Sequence, residues 1–333
     1  EDYEDRIEHP PVPKALKIID DKGREIEHVV LSSGKAYYTD YLDDSLPEIY
    51  KVNRLKVGLL LPGYDCGFHT LNIYRTDEEG EEIPSYIKSG HDNSIENSFY
   101  SVSFEADSFK VVDKKTGRVY QGVNRLLDKG DAGDEYSYSW PAHDSIYGLD
   151  PESARTEKIS TPIYQRLIVK GNLMLPEKLT EDRQRRSSKL IPSPVVISVS
   201  LIKDIDRIDF EIEIENNSRD HRLQVEFPSG ILADESQAEH CFGIAKRKID
   251  MDIPETWAEY PQTTHPTHGV IKLSDGRNCL SAITDGLPEY EAENVNNQSM
   301  LRITLLRSVG WLSRKDLITR KGHGGWEIET PDA

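Results

Sequence analysis

Residues 207–215 read RIDFEIEIE, and apolar and charged side chains alternate one by one along this stretch. Ile208, Phe210, Ile212 and Ile214 occupy every second position, and an acidic residue follows each of them. Successive side chains of a β-strand point to opposite faces, so this period of two predicts a strand with one buried and one charged face. Such strands are typical of antiparallel sheets that have water on one side. The stretch therefore predicts a β-sheet protein.

Neighbouring segments extend the β pattern. Residues 222–227 alternate in the same way, and residues 195–202 are apolar at most positions, which predicts a more buried strand. Residues 274–277 read SDGR between two further strand-like runs and predict a β-hairpin. The 18 prolines, and the lack of any amphipathic stretch longer than about three helical turns, argue against long helices. The sequence therefore predicts an all-β fold.

The strands fall into two predicted domains. Many short strands separated by turns are typical of β-sandwiches. Before residues 89–97 the strands are short and the acidic segment 41–48 interrupts them, whereas a long series of strands begins afterwards. We therefore expect a small β-sandwich in residues 1–90 and a large antiparallel β-sandwich in residues 91–333.

The net charge limits the classes of partner. The formal net charge is −18 and the pI is about 5.0, whereas proteins that bind nucleic acids concentrate positive charge against the phosphates. A basic cluster is the local exception, and its Ser- and Pro-containing surroundings favour a solvated loop over an anion site. The cluster consists of Arg183, Arg185, Arg186 and Lys189. No nucleic-acid partner is therefore expected.

Membrane insertion and disulfide bonding are not expected either. No apolar run approaches the roughly 20 residues that a membrane-spanning helix needs. Three cysteines, Cys66, Cys241 and Cys279, are too few for a disulfide framework and favour a reducing compartment, so we expect a cytoplasmic protein.

The first residues, EDY, contain no Met, and we expect an internal segment of a longer polypeptide. The oligomeric state is left open, with a homo-oligomer among the options.

Four sequence blocks carry a family resemblance. They are residues 95–100 with 111–118, residues 130–138, residues 220–223 with 227–230, and residues 284–290 with 306–314. Together and in this order, they resemble the C-terminal region of glycoside hydrolase family 38. That family contains α-mannosidases and bacterial mannosylglycerate-hydrolase-like enzymes. The resemblance covers roughly residues 95–333.

The resemblance implies a fold and a function. In this family the large β domain is a supersandwich similar to galactose mutarotase, and a zinc ion and an Asp nucleophile lie in an N-terminal β/α domain. Neither the family's His-x-Asp zinc pair nor its nucleophile segment is found in this sequence. The resemblance therefore implies the C-terminal part of a retaining α-mannosidase-type hydrolase.

The resemblance also implies partners for such a segment. An α-mannoside is the expected substrate, and the N-terminal catalytic domain of the same polypeptide is the expected protein partner. No catalytic residue, metal ligand or cofactor is expected within residues 1–333. Zinc is expected in the catalytic domain of the parent enzyme.

An acidic loop bounded by glycine is the main candidate site. Residues 130–138 read GDAGDEYSY, which combines Asp131, Asp134 and Glu135 with two tyrosines. Retaining glycosidases use two carboxyl groups about 5 Å apart. Three interpretations stay open: an acid/base pair within the loop, a loop that reaches a neighbouring catalytic domain and contacts the sugar, and an acidic turn held by its own hydrogen bonds.

The resemblance assigns substrate contacts to this loop and to one strand. A Tyr in the matching loop of eukaryotic relatives touches substrate, and this role falls on Tyr136, whose phenol can pack on a sugar and donate a hydrogen bond. The Asp-Glu pair before Tyr136 and an extra residue before Pro141 depart from the family pattern. Arg307 lies in a stretch similar to the relatives' substrate-side strand, and it either binds sugar hydroxyls, holds Asp134, or pairs with a surface acid. The expected substrate-binding residues are Tyr136, Asp134, Glu135 and Arg307.

Two further patterns resemble reactive sites less closely. His265 and His268 have metal-like spacing, but a zinc site needs three or four ligands and no Cys or acid lies at motif distance. The adjacent residues His240 and Cys241 would point to opposite faces of a strand, which argues against a nucleophile dyad. Neither pattern is expected to be a site.

Two rival functions stay open. The first is a free-standing carbohydrate-binding sandwich, for which Trp140 and Trp311 are either sugar-stacking platforms or, more commonly, part of a β core. The second is a mutarotase-like enzyme that uses a His and a Glu as acid and base, with His143 or His221 as candidates.

Overall fold

The computed structural model describes eight ranges of the chain: 15–41, 46–63, 66–76, 87–89, 92–251, 256–257, 259–321 and 327–330. Every element within these ranges is a β-strand and none is a helix, which confirms the all-β prediction. The same ranges accordingly contain no helix that is long and apolar enough to cross a membrane. Both chain ends, and residues 42–45 of the acidic segment, lie outside the described residues.

Twenty-six strands follow one another along the described chain. The first thirteen are β1 (Ala15–Asp20), β2 (His28–Asp40), β3 (Glu48–Leu59), β4 (Leu71–Thr76), β5 (Ile87–Ser89), β6 (Ser94–Glu96), β7 (Tyr100–Glu105), β8 (Ser108–Asp113), β9 (Val119–Val123), β10 (Arg125–Gly130), β11 (Arg155–Ser160), β12 (Tyr164–Pro176) and β13 (Leu190–Ile202). The others are β14 (Asp209–Ile214), β15 (His221–Pro228), β16 (Glu235–His240), β17 (Gly243–Lys248), β18 (Thr264–Pro266), β19 (Val270–Ser274), β20 (Cys279–Ile283), β21 (Glu289–Val295), β22 (Gln298–Ser308), β23 (Trp311–Ser313), β24 (Asp316–Leu317), β25 (Arg320–Lys321) and β26 (Ile328–Glu329).

Two compact units make up the chain, and the first comprises residues 1–98, 157–167 and 200–209. Within it β1 pairs with β4, β5 pairs with β11, and β2 and β3 form a long hairpin, all of them antiparallel. Its core is formed by buried aliphatic side chains, which include Ile18, Ile26, Val29, Ile95, Ile163 and Leu167.

The second unit comprises residues 99–156, 168–199 and 210–333. Strands β10, β15, β22, β21 and β18 form a five-stranded antiparallel sheet in this order. Strands β17, β16, β19 and β20 form a four-stranded antiparallel sheet, and β8 pairs with both β7 and β9. Its apolar core includes Val102, Phe109, Leu126, Leu173, Ile197 and Leu301. The packing of sheets as sandwiches and the division into domains at residue 90 stay predictions.

Strand β14 has the alternation that the sequence predicts. Phe210, Ile212 and Ile214 are half-buried, whereas Glu211 and Glu213 are exposed. The acidic side chains therefore stay in water while the apolar side chains face protein.

The predicted hairpin at residues 274–277 is confirmed, because β19 and β20 pair directly across it. Asp275 Oδ1 accepts hydrogen bonds from the backbone N–H groups of Asn278 (2.7 Å) and Arg277 (2.8 Å). These bonds stabilise the carboxylate and lower the pKa of Asp275 to about 2. The turn is thus held by its own acidic residue.

Strand β15 departs from the predicted pattern because it is buried on both faces. Leu223 and Val225 are buried, as their alternation predicts, but Arg222, Gln224 and Glu226 on the opposite face are buried as well. A strand with one wet face was expected here. On this face Arg222 packs against the Tyr138 ring. Gln224 donates to Glu291, and Glu226 pairs with Arg302, contacts that a sequence pattern does not reveal.

Replacement of Leu223 tests the burial of the apolar face of β15. Leu223 is 0% exposed, and Leu223→Ala removes buried methyl groups and leaves a cavity, so we expect the free energy of unfolding to fall by about 2–5 kcal/mol. Leu232→Ala is the control, since Leu232 is 48% exposed and we expect a change within about 0.5 kcal/mol. Urea denaturation followed by tryptophan fluorescence measures both values. Equal losses would contradict the burial of Leu223.

Candidate functional site

The loop that follows β10 closes on itself. We call residues 131–140 the tyrosine loop. The backbone N–H of Ala132 donates to the carbonyl of Ser139 (2.6 Å), and that of Asp134 donates to the carbonyl of Ser137 (3.1 Å). The loop therefore narrows toward its tip instead of spreading over the surface.

The first acidic residue of the loop is a buried anchor. The Asp131 side chain is fully buried, and its Oδ2 accepts a hydrogen bond from Arg307 Nε (2.8 Å) and lies 2.7 Å from Arg307 Nη2. Asp131 Oδ1 accepts hydrogen bonds from the backbone N–H groups of Gly133 (2.9 Å) and Ser139 (3.4 Å). Burial raises the pKa of Asp131, and the positive charge of Arg307 opposes this rise. Asp131 thus ties both sides of the loop to strand β22.

The second acidic residue anchors the tip. Asp134 is 0% exposed, and its Oδ1 accepts hydrogen bonds from the backbone of Tyr136 (3.0 Å) and Ser137 (2.9 Å). Asp134 Oδ2 accepts one from the backbone of Arg314 (3.0 Å) and one from the Arg320 guanidinium. Both carboxylate oxygens are therefore occupied by donors of the protein itself.

Arg307 joins the two anchors. Besides its ion pair with Asp131, its Nη2 donates to the backbone carbonyl of Asp134 (3.0 Å). The sequence left open whether Arg307 holds Asp134 or pairs with another acid. In the structure, Arg307 forms an ion pair with the Asp131 carboxylate and hydrogen-bonds only to the main chain of Asp134.

Two polar side chains at the tip point away from these anchors. Tyr136 is 71% exposed and Glu135 is exposed as well. The backbone N–H of Glu135 donates to the carbonyl of Trp311 (3.0 Å), which fixes the main chain at this point. Neither the Tyr136 hydroxyl nor the Glu135 carboxylate has a hydrogen-bond partner among the residues that the structure describes. The tip therefore presents a phenol and a carboxylate on a fixed backbone.

The second tyrosine of the loop faces the protein. The Arg222 guanidinium lies 3.7 Å from the centre of the Tyr138 ring, a cation–π contact. The Tyr138 carbonyl accepts hydrogen bonds from Gln262 Nε2 (3.1 Å) and Thr319 Oγ1 (3.2 Å). Burial raises the pKa of the Tyr138 phenol well above its usual value. Tyr138 is therefore part of the scaffold under the loop.

The two tryptophans near the loop make different contacts. Trp140 is 36% exposed and packs edge-on against Tyr260, with ring centroids 5.3 Å apart. Trp311 lies under the Arg314 guanidinium at 4.2 Å. Both rings already pack against protein, so only part of each is open to a ligand.

Gly133 is required by close packing. A Cβ atom at this position would lie 2.1 Å from the Ser137 carbonyl oxygen, 2.8 Å from Asp131 Oδ1 and 2.8 Å from Ser139 N. A Cβ atom essentially never lies this close to another heavy atom, so a side chain here must open the loop.

A buried polar cluster lies beside the loop and is not evident from the sequence. Asp128 is buried and pairs with both the Arg186 guanidinium and His221 Nδ1. His221 Nε2 contacts Asn216 Oδ1 (3.0 Å). The imidazole is fully enclosed with both nitrogens engaged, so it is not available as an acid or base for a substrate.

The basic cluster of residues 183–189 is only partly solvated: Arg185 and Lys189 are exposed, whereas Arg186 is buried. Arg186 is buried against Asp128, and Arg183 pairs with Asp220 (3.0 Å). The exposed Lys189 pairs with Glu177 (2.7 Å). Acidic residues distant in sequence neutralise these positive charges, which local composition does not reveal.

His265 and His268 contact different partners in the structure, and the His268 ring packs against His240 with centroids 5.7 Å apart. His265 packs against Tyr290, and burial lowers the pKa of its imidazole. His268 Nε2 lies 3.4 Å from Cys241 Sγ, a proximity that the sequence analysis did not anticipate. Among the described residues, no three His, Cys, Asp or Glu side chains group closely enough to hold a metal ion.

The structure brings the four predicted site residues into one region. Asp134, Glu135 and Tyr136 lie in the tyrosine loop, and Arg307 contacts it from β22. Sequence reasoning missed Arg320, which binds Asp134 from β25. No local motif could have shown this residue, because its partner lies 186 positions away.

The chain belongs to glycosyl hydrolase family 38. Residues 95–329 match the family described as "Glycosyl hydrolases family 38 C-terminal domain". The match includes the whole tyrosine loop and the strands that anchor it. It confirms the family resemblance of the four sequence blocks.

Longer proteins are similar over nearly the whole chain. A Halalkalibacterium halodurans protein named "Putative mannosylglycerate hydrolase" is 24% identical over 99% of this chain and 37% of its own length. An α-mannosidase from Enterococcus faecalis V583 has a TM-score of 0.78 at 24% identity, over 97% of this chain and 36% of that structure. A second family 38 protein from Enterococcus faecalis has a TM-score of 0.72 at 23% identity, over 96% of this chain and 38% of that structure. The chain thus spans little more than a third of these relatives.

Gly133→Ala tests the packing of the tyrosine loop. The added methyl group must displace the Ser137 carbonyl, so we expect faster hydrogen exchange of the Gly133, Tyr136 and Ser139 amides and a loss of at least about 1 kcal/mol in unfolding free energy. Gly63→Ala is the control, because nothing lies within 4 Å of its added Cβ. Unchanged exchange in Gly133→Ala would contradict the described loop.

Proposed function

We propose that this chain is the C-terminal β part of a retaining α-mannosidase-type glycoside hydrolase. In this proposal it supports a catalytic domain of the same polypeptide and contributes the tyrosine loop to the rim of the sugar pocket. The large β region is proposed to be an antiparallel supersandwich that follows a small β-sandwich. The observation that carries the proposal is an exposed tyrosine, Tyr136, on a loop held by two buried carboxylate–guanidinium contacts in a family 38 chain.

The chemistry of the loop tip suits a sugar. A phenol packs on the C–H face of a pyranose ring and donates a hydrogen bond to a hydroxyl, and a carboxylate accepts hydrogen bonds from hydroxyls. Tyr136 and Glu135 offer these two groups. They are the residues that we propose touch substrate.

Asp134 and Arg307 have a different proposed role at the same pocket. Their side chains are engaged with the loop itself, through the Tyr136 and Ser137 amides and the Asp131 carboxylate. We therefore assign them to positioning of the tip. A loop that is rigid before binding loses less entropy when substrate arrives, which favours binding and catalysis.

The reacting groups are placed outside this chain in the proposal. A retaining mechanism needs a nucleophile and an acid about 5 Å apart that both reach the glycosidic bond. Asp131 and Asp134 are fully buried and saturated with protein donors, so they do not fit that role. An acid/base pair within the loop is therefore not favoured.

The zinc ion expected for the family is likewise placed in the N-terminal catalytic domain. A zinc ion in such a site polarises bound oxygen atoms as a Lewis acid. Within the described ranges the side chains offer no matching ligand group, so no step is assigned here to a metal. A cytoplasmic location and a neutral α-mannoside substrate complete the proposal.

The mutarotase-like alternative has less support. Its base would need access to a sugar hydroxyl. His221 is buried with both nitrogens engaged. His143 is exposed and donates its backbone N–H to the Gln184 carbonyl (2.9 Å), and its ring has no carboxylate partner among the described residues. The hydrolase proposal is therefore preferred.

Tyr136→Phe in the full-length enzyme tests the loop assignment. Loss of one hydrogen bond to a sugar hydroxyl, about 0.5–1.5 kcal/mol, should lower kcat/KM roughly two- to tenfold and leave the melting temperature unchanged. Tyr41→Phe is the control, since Tyr41 is also exposed, at 78%, and lies far from the loop in sequence. Steady-state kinetics on an aryl α-mannoside give the comparison. Full activity in Tyr136→Phe would reject the sugar contact.

Activity of the isolated chain tests where the reacting groups lie. We expect the 333-residue chain to show no zinc-dependent hydrolysis of an aryl α-mannoside, whereas the full-length polypeptide hydrolyses it with retention of anomeric configuration. Product configuration is read by proton NMR early in the reaction. Sustained turnover by the isolated chain, with or without zinc, would show that the catalytic groups lie within it.

A further inference from the structure

An open cavity of about 410 Å³ lies at the C-terminal end of β15, where Glu226 of the polar face lines it. Strand register places Glu226 between Arg125 of β10 and Arg302 of β22, and these three side chains line one wall. Gln121 of β9 and the β21–β22 turn line the other sides. A volume of this size lies within the range of small-ligand pockets, which begins at about 300 Å³.

The charges in this cavity are already paired within the protein. Arg302 Nε donates to Glu226 (2.8 Å), and its Nη1 donates to Glu293. Arg125 Nε lies 3.3 Å from an Asp107 carboxylate oxygen. Two guanidinium groups therefore face three carboxylates, so each described guanidinium of the cavity has an acidic partner and is less able to attract a phosphate.

The free hydrogen-bonding capacity lies instead in carboxamides. Gln121, Asn296 and Gln298 line the cavity, and none of their side chains has a hydrogen-bond partner among the described residues. Each carboxamide offers two N–H donors and one carbonyl acceptor without charge. That combination matches the hydroxyl groups of a sugar or another polyol, since each hydroxyl both donates and accepts.

Apolar groups and a fixed backbone complete the cavity. Val295 and Met300 contribute side chains that can contact C–H groups, and Pro228 extends this surface. At the β21–β22 turn, Asn296 and Asn297 have φ values of 50° and 62°, a left-handed conformation that asparagine tolerates. The tight turn joins two paired strands, so the carboxamides project from a defined scaffold.

We propose that this cavity is a second binding site, for an uncharged polyhydroxylated ligand of about one sugar ring. It is separate from the tyrosine loop. Gly130 leads into that loop at one end of β10, whereas Arg125 lies at the other end, about 17 Å away at the usual rise of a strand. The proposal rests on the chemistry of the cavity and does not require the proposed hydrolase function.

A titration of the 333-residue chain with methyl α-mannoside tests the site. The backbone amide spectrum is recorded by NMR, and inorganic phosphate serves as the anionic probe. We expect saturable shifts of the Gln121, Asn296 and Gln298 amides with the mannoside, at roughly millimolar affinity, and none with phosphate. Failure of the mannoside to shift these amides, or saturable shifts with phosphate, would overturn the proposal.

Two sets of variants separate this site from the tyrosine loop. Gln121→Ala combined with Gln298→Ala removes carboxamides that have no internal partner, so the fold should persist and the dissociation constant should rise at least tenfold. Gln237→Ala is the control, because this carboxamide lies on β16 and bonds to Glu235 (3.3 Å). Tyr136→Phe lies in the other proposed sugar site, so it should leave the mannoside dependence of the Asn296 amide shift unchanged. Unaltered binding in the double variant, or a loss in Tyr136→Phe, would show that the mannoside binds elsewhere.

Discussion

The candidate site depends on burying two carboxylates against arginines from distant strands. Asp131 meets Arg307, and Asp134 meets Arg320, with both acids fully enclosed. A buried charge without its partner is strongly unfavourable, and removal of one member of such a pair costs about 3–5 kcal/mol. The loop can therefore keep its shape only while strands β22 and β25 hold their places. The shape of the tip therefore depends on these distant strands as well as on Gly133 and the loop's own hydrogen bonds.

Strand β15 connects the anchors to the rest of the second unit. Its apolar side chains, such as Leu223, contribute to the core, and its polar side chains form a covered surface that includes Arg222 under Tyr138. One strand thus supplies both hydrophobic stabilisation and the support beneath the loop. The same polar surface continues to Glu226 at the carboxamide-lined cavity. Two candidate ligand sites are therefore built on a single stiff element.

Much of the fold followed from local patterns, because alternation and turn chemistry act over a few residues. The strand at Phe210–Ile214 and the hairpin at Asp275 are examples. The tyrosine loop was also recognisable, since glycines, acids and tyrosines stand together in residues 130–138. Local patterns do not show which residues from distant parts of the chain become partners. Arg320 as the partner of Asp134, and the burial of Arg186, depend on which strands become neighbours.

The covered face of β15 shows the same limit. Alternation states which residues share a face, but whether that face meets water depends on the segments that pack over it. Gln224 is polar by sequence and buried by context, with its Nε2 donating to Glu291 (3.1 Å). Cys241 and His268 similarly lie close because β16 and β19, which end and begin near them, pair in one sheet. Such burial and contacts arise from tertiary structure, so a sequence pattern does not predict them.

The long separation between the loop and its anchors has a consequence for biosynthesis. Asp131 and Arg307 are 176 positions apart, and Asp134 and Arg320 are 186 apart. During synthesis, Asp131 and Asp134 leave the ribosome well before the two arginines that compensate their charge. During that interval the nascent loop must keep its carboxylates hydrated, and it reaches its final form only after β25 has emerged. The tyrosine loop is thus among the last parts of the chain to reach its final form.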